Sequence, residues 1–219
     1  MQTDFWSPVG LSIEVASVSG IWVLIFGVFF GKVMANKKFK GKVLVETIFL
    51  FPLVLPPTVI GFLLIIIFGK NSPVGQLIEW VFKQPVIFTW WAAVIASTVV
   101  AFPLMYQSSK TGFEGIDKDI ENAARIDGAN EFKLFLLVSF PLALKSIISG
   151  AIMSFARALG EFGATFMFAG NVPGKTQTIP TAIYVAIDSG NMELAWLWVT
   201  SMIAISFLML MCLHFIKSS

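Results

Sequence analysis

Charge is scarce in this chain of 219 residues: Asp, Glu, Lys and Arg make up only 13% of it. A soluble domain carries about 25%. The shortage excludes a disordered chain, a nucleic-acid-binding domain and an ordinary soluble enzyme. Cysteine is nearly absent too. The single Cys212 lies in an apolar run, so no disulfide framework can form within the chain. Histidine is limited to His214, which excludes a histidine-based metal site. No Gly-x-x-x-x-Gly-Lys-Ser/Thr phosphate loop occurs; the nearest approach, Gly170 to Gly174-Lys175-Thr176, is one residue short. What is abundant is apolar bulk. Hydrophobic residues reach 57%, with 22 Phe and 7 Trp, and the mean hydropathy is +0.83. This is the composition of an integral membrane protein.

A membrane-spanning helix needs about 20 apolar residues. Stretches between charges provide them at 15–31, 47–69, 84–109 and 194–216, and a fourth in chain order begins at Leu134, punctuated by Lys145, Arg157 and Glu161. The expected fold is all-α, with five spans at about 11–34, 45–69, 86–108, 134–160 and 194–216. The segment Thr178–Ile187 is too short to cross and reads as a surface or re-entrant helix. Lysine placement orients the spans. Lys32, Lys37, Lys38, Lys40 and Lys42 follow the first span, and Lys110, Lys118, Arg125 and Lys133 follow the third. Both loops are expected in the cytoplasm, with the N-terminus outside and the C-terminus inside. The first residues carry Asp4 and Glu14 and no basic residue, unlike the positive start of a signal peptide. Trp90, Trp91, Trp196 and Trp198 read as an interfacial belt, and Met202, Met209 and Met211 as bundle packing.

Interruptions carry more information than the spans. Pro52, Pro56 and Pro57 fall inside the second span. They indicate either a broken helix lining a path or a packing kink; Pro103 reads as a simple kink. Arg157 and Glu161 stand four apart on one helical face at membrane depth. Such charges either line a path or form a structural ion pair. Gly160 and Gly163 beside them permit a bend or close helix approach, and Thr165, Thr176 and Thr178 can satisfy loose backbone groups or contact an anion. The polar loop 110–133 is longer than a connector requires. Ile116, Ile120, Ala123 and Ala124 give it one apolar side, Gly128 suits a sharp turn, and a second helical run, 131–140, leads to Pro141.

That loop resembles the EAA loop of ABC importer permeases. Asn122-Ala123-Ala124, three residues, Gly128, nine residues and Val138-Ser139-Phe140-Pro141 fall in its register. Asn122 stands where the family has an acid, with Glu121 immediately before it. Phe140 replaces a leucine. Downstream, Ala156–Thr165, Phe168–Pro180, Ala182-Ile183-Tyr184 and Gly190–Trp196 are similar to the molybdate permease subunits of that group. Sulfate permeases share the Gly-Glu-aromatic-Gly element but differ after it.

The resemblance implies a type I importer fold in a bacterial inner membrane, working as a homodimer. Two cytoplasmic ATPase subunits would dock on the loop containing Glu121, Asn122, Ala123, Ala124, Gly128 and Pro141. An external binding protein would deliver molybdate, or the related tungstate. Arg157, Glu161, Gly160, Gly163, Thr165, Pro56 and Pro57 are the residues expected along the path. No cofactor, metal or nucleic acid is implied; lipid surrounds the chain. A secondary carrier would instead show an internal repeat and coupling carboxylates. No repeat is visible, and Glu161 is the only deep acid.

Overall fold

The computed structural model describes residues 5–218, without the side chains of 212–214 and 216–218. Cys212 and His214 therefore lie outside the described side chains. All regular structure among the described residues is helical. The long helices are α1 (Trp6–Asn36), α5 (Trp90–Glu114), α8 (Phe140–Leu159) and α11 (Met192–Ser218). Shorter ones are α2 (Lys42–Val54), α3 (Pro57–Phe68), α4 (Pro73–Phe82), α6 (Lys118–Ile126), α7 (Glu131–Leu134), α9 (Gly163–Ala169) and α10 (Ile179–Asp188). A π-helical turn, Phe135–Ser139, joins α7 to α8, so the helix runs unbroken from 131 to 159. Pro141 sits where its missing N–H would have bonded to Leu137, and the wider π turn lies just before it.

Side-chain register shows how the helices cross. Along α5, Gly27 of α1 packs on Met105, and Gly31 packs on Ser109 and Lys110, so α1 and α5 are parallel. On the other flank, Phe113 meets Phe135, Gly112 meets Ser146, and Gly150 meets Ser108, so α8 runs antiparallel to α5. In α2, Glu46 pairs with Lys110 and Phe49 packs on Phe102 and Tyr106. Farther along, Ile60 and Leu64 of α3 cluster with Ala92, Ala93 and Ala96. The α2–α3 pair is bent by 118°, yet it travels the full depth of α5. It is one broken crossing rather than a loop that returns. Met202 of α11 approaches Gly160, and Leu208 and Met209 line a cavity with Ala151 and Phe155. Four helices are long and apolar enough to cross a membrane, five crossings if the bent pair counts as one, and α1, α5 and α11 point one way. Glu46, Lys32, Lys110 and α6 mark one end, called here the basic end.

Several boundaries differ from expectation. α1 begins at Trp6 rather than 11, with Pro8 in its first turn, where a missing N–H costs no intrahelical bond, and Pro8 and Val9 already buried. α5 starts at Trp90 rather than 86, since Lys83 and Phe88 have φ of 57° and 61° and Thr89 caps Ala92 N–H. It continues to Glu114 because Lys110 is paired with Glu46 and Glu114. α4 was not anticipated, although Ser72 at its N-cap accepts from Gly75 N–H and Pro73 opens the helix. Trp198 does not belong to an exposed belt. It is 3% exposed, stacks on Phe5 and donates its indole N–H to the Phe5 carbonyl at 3.1 Å. α10 forms where the short segment was expected, with Ile179 N–H donating to Ser12 of α1.

Small residues make the α1–α5 contact possible. Ser12, Ala16, Ser19, Val23, Gly27 and Gly31 form the buried stripe of α1, facing Ala93, Ser97, Ala101, Met105 and Ser109. A Cβ on Gly31 would lie 2.7 Å from Ser109 Cβ and 2.9 Å from the Lys110 backbone nitrogen. Lipid offers no hydrophobic drive between helices, so this close fit supplies much of the cohesion. Gly31→Val should therefore lower stability by about 1–3 kcal/mol. Gly10→Ala, with open space around its Cβ, should be neutral or mildly stabilising. Thermal unfolding of the detergent-solubilised protein distinguishes the two; equal midpoints would contradict the packing account.

Candidate functional sites: a double helix break and a helical platform

The first site begins with Pro56 and Pro57. Each proline disfavours helical geometry in the residue before it. Leu55 and Pro56 accordingly take extended ψ of 143° and 136°, and α2 stops while α3 starts afresh at Pro57. This is the broken helix, not the packing kink. A second break lies after α8. Gly160 closes α8, Phe162 leaves helical geometry, and α9 starts at Gly163.

The two breaks pack against each other. A Cβ on Gly163 would meet Pro57 Cβ at 3.0 Å and Thr58 N at 3.2 Å, while one on Gly61 would meet Met167 Cβ at 2.6 Å. Only glycine lets α3 and α9 come this near. Glu161, 2% exposed, sits in the gap. Its Oε1 accepts from Ala164 N–H at 2.8 Å, satisfying the first turn of α9. Its Oε2 lies 2.7 Å from Arg157 Nη1, and Arg157 keeps 31% of its side chain exposed. The carboxylate of the pair is buried, whereas the guanidinium reaches outward. Thr165 is buried beside it, and its hydroxyl has no protein partner among the described residues. Thr176 is buried but occupied, accepting from Val172 N–H at 2.9 Å; Thr178 and Thr181 face each other at 3.4 Å. Pro56 and Gly160 are exposed at the two breaks.

The second site is α6 with the turn that follows. Asp117 caps the helix by accepting from Asp119 N–H. At the other end, Gly128 N–H donates to Arg125 O and Ala129 N–H to Ala124 O, a Schellman arrangement, with Gly128 at φ +87°. Asn130 then caps α7, and Arg125 braces the corner by gripping Glu131 at 2.9 Å. Residues named together in the sequence separate here. Glu121 points inward and is buried, whereas Asn122 and Ala123 are exposed and Ala124 is half-buried. Ile116 does not share their face. It precedes the helix and packs on the bundle core. The outward apolar surface consists instead of Ile120, Ala123, Ile126 and Phe132. Pro141 is exposed at the start of α8, away from α6 in sequence.

Two residues that sequence reasoning missed complete this site. Lys32 had served only as a topology marker, and Ser139 as an unspecified motif position. Lys32 Nζ donates to Glu121 Oε1 at 2.7 Å and to Ser139 Oγ at 2.9 Å, and Ser139 donates to the same carboxylate oxygen at 2.7 Å. Burial alone would raise the Glu121 pKa, but the ammonium and the hydroxyl outweigh it and hold the carboxyl below its ordinary value of 4.5. The contribution of this contact is present at neutral pH and is lost only as pH falls below that value. The available signal was Lys32 directly after the Gly27-x-x-x-Gly31 packing motif.

The architecture is that of ABC importer membrane subunits. It superposes on a chain of the inward-facing methionine ABC transporter MetNI with a TM-score of 0.73 at 16% identity, covering 96% of this chain and 94% of that one. A bacterial alginate ABC transporter chain, solved with an alginate-bound periplasmic protein, gives 0.74 at 14% identity, covering 99% and 77%. Residues 24–218 match the family described as binding-protein-dependent transport system inner membrane component, and the chain belongs to it. A putative molybdenum transport system permease, YvgM of Bacillus subtilis, is 64% identical over 95% of this chain and 92% of its own. The molybdenum permease ModB of Escherichia coli K12 is 41% identical over 86% and 82%. A probable sulfate transport permease of Prototheca wickerhamii is 31% identical over 82% and 70%.

Glu161 yields a direct test. Glu161→Ala removes the α9 cap and leaves the buried Ala164 N–H without its acceptor, so stability should fall by about 1–3 kcal/mol. Glu161→Gln keeps an oxygen for Ala164 N–H and should lose less. Unfolding midpoints of both variants check this. Equal losses would mean that the cap contributes nothing.

Proposed function

We propose that this chain is the membrane subunit of an ATP-driven importer for molybdate, with tungstate as a related substrate. Family membership across residues 24–218 carries the reading. The permeases named for molybdenum supply the substrate, since physics cannot separate molybdate from other tetrahedral dianions at the membrane site. Two copies form the path between them, two cytoplasmic ATPase subunits bind the outward faces of α6, and an external binding protein loads the anion. The basic end is cytoplasmic, because Lys32, Lys37, Lys38, Lys40 and Lys42 cluster there with Lys110 and Lys118. The five crossings then put the N-terminus outside and the C-terminus inside.

The transport cycle follows from this arrangement. Nucleotide binding draws the two α6 platforms together, and the helices above them tilt as units to open an outward cavity. The anion passes the double break, where the exposed edge of the Arg157 guanidinium presents donors. Glu161, held by the α9 cap, tempers the positive charge so that the anion is not trapped. Hydrolysis in the partner subunits resets the dimer. This chain makes no covalent bond.

Reconstitution with the ATPase and binding protein tests the proposal. Molybdate import should require ATP, and loaded binding protein should stimulate hydrolysis. Sulfate should compete weakly; preferential sulfate import would instead favour a sulfate permease. Gly128→Val strains the turn by about 1–2 kcal/mol and should leave the spans inserted while abolishing the stimulation. Unchanged stimulation would remove α6 as the coupling surface.

Topology has its own test. A reporter active only in the cytoplasm should work when fused after Lys217 and stay silent when fused ahead of Trp6, where α1 begins. Activity at both ends would exclude an odd number of crossings.

A further inference from the structure

Four elements converge on one ammonium at the basic end. Lys32 is on α1, 2.7 Å from Glu121 of α6 and 2.9 Å from Ser139 at the end of the π turn, and it lies 5.2 Å from the centre of the Phe113 ring of α5. Ser139 is fully buried, Phe113 is 1% exposed and Glu121 5%. Glu121 faces the bundle from the side of α6 opposite the exposed Asn122 and Ala123. The hydroxyl of Ser139 accepts from Lys32 and donates to Glu121, so the three side chains form a closed ring of hydrogen bonds. α6 has few other ties to the bundle. Arg125 fastens it to Glu131, within the same loop, and otherwise bonds Asn122 of α6 itself.

We infer that Lys32, Glu121 and Ser139 form a latch that makes α6 move as one body with α1 and α8, so that displacement of the platform reaches the crossings. These are positioning residues. They touch neither substrate nor nucleotide and act through the attitude of α6. The inference rests on the importer reading for its consequence but not for its geometry. An ion pair without the hydroxyl could swivel. The three-membered ring fixes the direction of the Glu121 carboxylate and hence the roll of α6. The wider π turn places Ser139 within reach. Without the latch, α6 would stay folded by its own caps and stay bound to an ATPase through its outward face, but its motion would dissipate in the loop.

The test uses the full chain in complex with its ATPase and binding protein, with Cys212 replaced by Ser. Spin labels at positions 36 and 119 report the distance between α1 and α6. In the parent protein that distance should be narrow and unchanged between nucleotide-free and ATP-trapped states. In Lys32→Met it should broaden, the ATPase should still co-purify, and stimulation of hydrolysis by loaded binding protein should fall by about tenfold. Reversing the pair, with Lys32→Glu and Glu121→Lys together, should narrow the distance again and recover at least half of the stimulation. A parent distance that shifts on ATP binding, a Lys32→Met distribution like the parent's, or a reversed pair no better than the single variant would each overturn the latch. A complex that imports no anion while the distances behave as expected would count against the importer reading and uphold the latch.

Discussion

The close contact between α1 and α5 is the constraint on which the other elements depend. In lipid, two helices gain little by hiding apolar side chains from each other, so cohesion has to come from fit and from polar contacts. Gly27 and Gly31 let α1 rest directly on Met105, Ser109 and the Lys110 backbone. The α2–α3 crossing and α8 then occupy the two flanks of α5, the first through Glu46 and Phe49, the second through Ser146 and Gly150. Lys32 follows Gly31 by one residue. The packing that brings Gly31 against α5 therefore also sets where the ammonium meets Glu121. A change in the helix contact and a change in the attitude of α6 are mechanically the same event.

Two breaks in hydrocarbon would each leave backbone groups without partners. The chain meets this cost by stacking one break on the other. Gly61 and Gly163 allow α3 and α9 to approach, and Glu161 supplies the acceptor that α9 lacks at its start. Its charge is balanced by Arg157, whose outer edge stays accessible. A single side chain thus serves both the folding of the region and its electrostatics. Thr165 retains an uncommitted hydroxyl beside it.

The long apolar helices were legible in the sequence because charge is excluded from hydrocarbon: four match expected spans, and the bent α2–α3 pair occupies the fifth. Span boundaries were less legible. A charged residue such as Lys110 can lie within a helix that runs past the expected boundary when it is paired, and the pairing with Glu46 does not show in a local pattern. The three prolines signalled a disturbance, but only the packing on α9 distinguishes a break of 118° from a kink. In the polar loop 110–133 the motif spacing placed Gly128 at a sharp turn, where it takes a left-handed conformation, whereas the partner of Glu121 lies 89 positions away. Such a contact has no local signature. The α4 helix escaped notice because it is too short to cross and amphipathic enough to resemble a loop between spans, although Ser72-Pro73 marks its start.

Parallel packing of α1 and α5 also constrains how the protein is made. Neighbours that point the same way cannot be consecutive crossings, so α1 enters the membrane before its principal partner exists. The ribosome must complete the α2–α3 crossing and α5 itself, through about Glu114, before the glycine stripe of α1 can be covered. Chain elongation at roughly 5–20 residues per second leaves that stripe exposed to lipid or to insertion machinery for several seconds. The Lys-rich segment after α1 holds its end at one membrane face during the wait. The bundle is thus assembled from its third crossing outward, and α6 reaches its anchor only after the α1 end that carries Lys32 has already been in place.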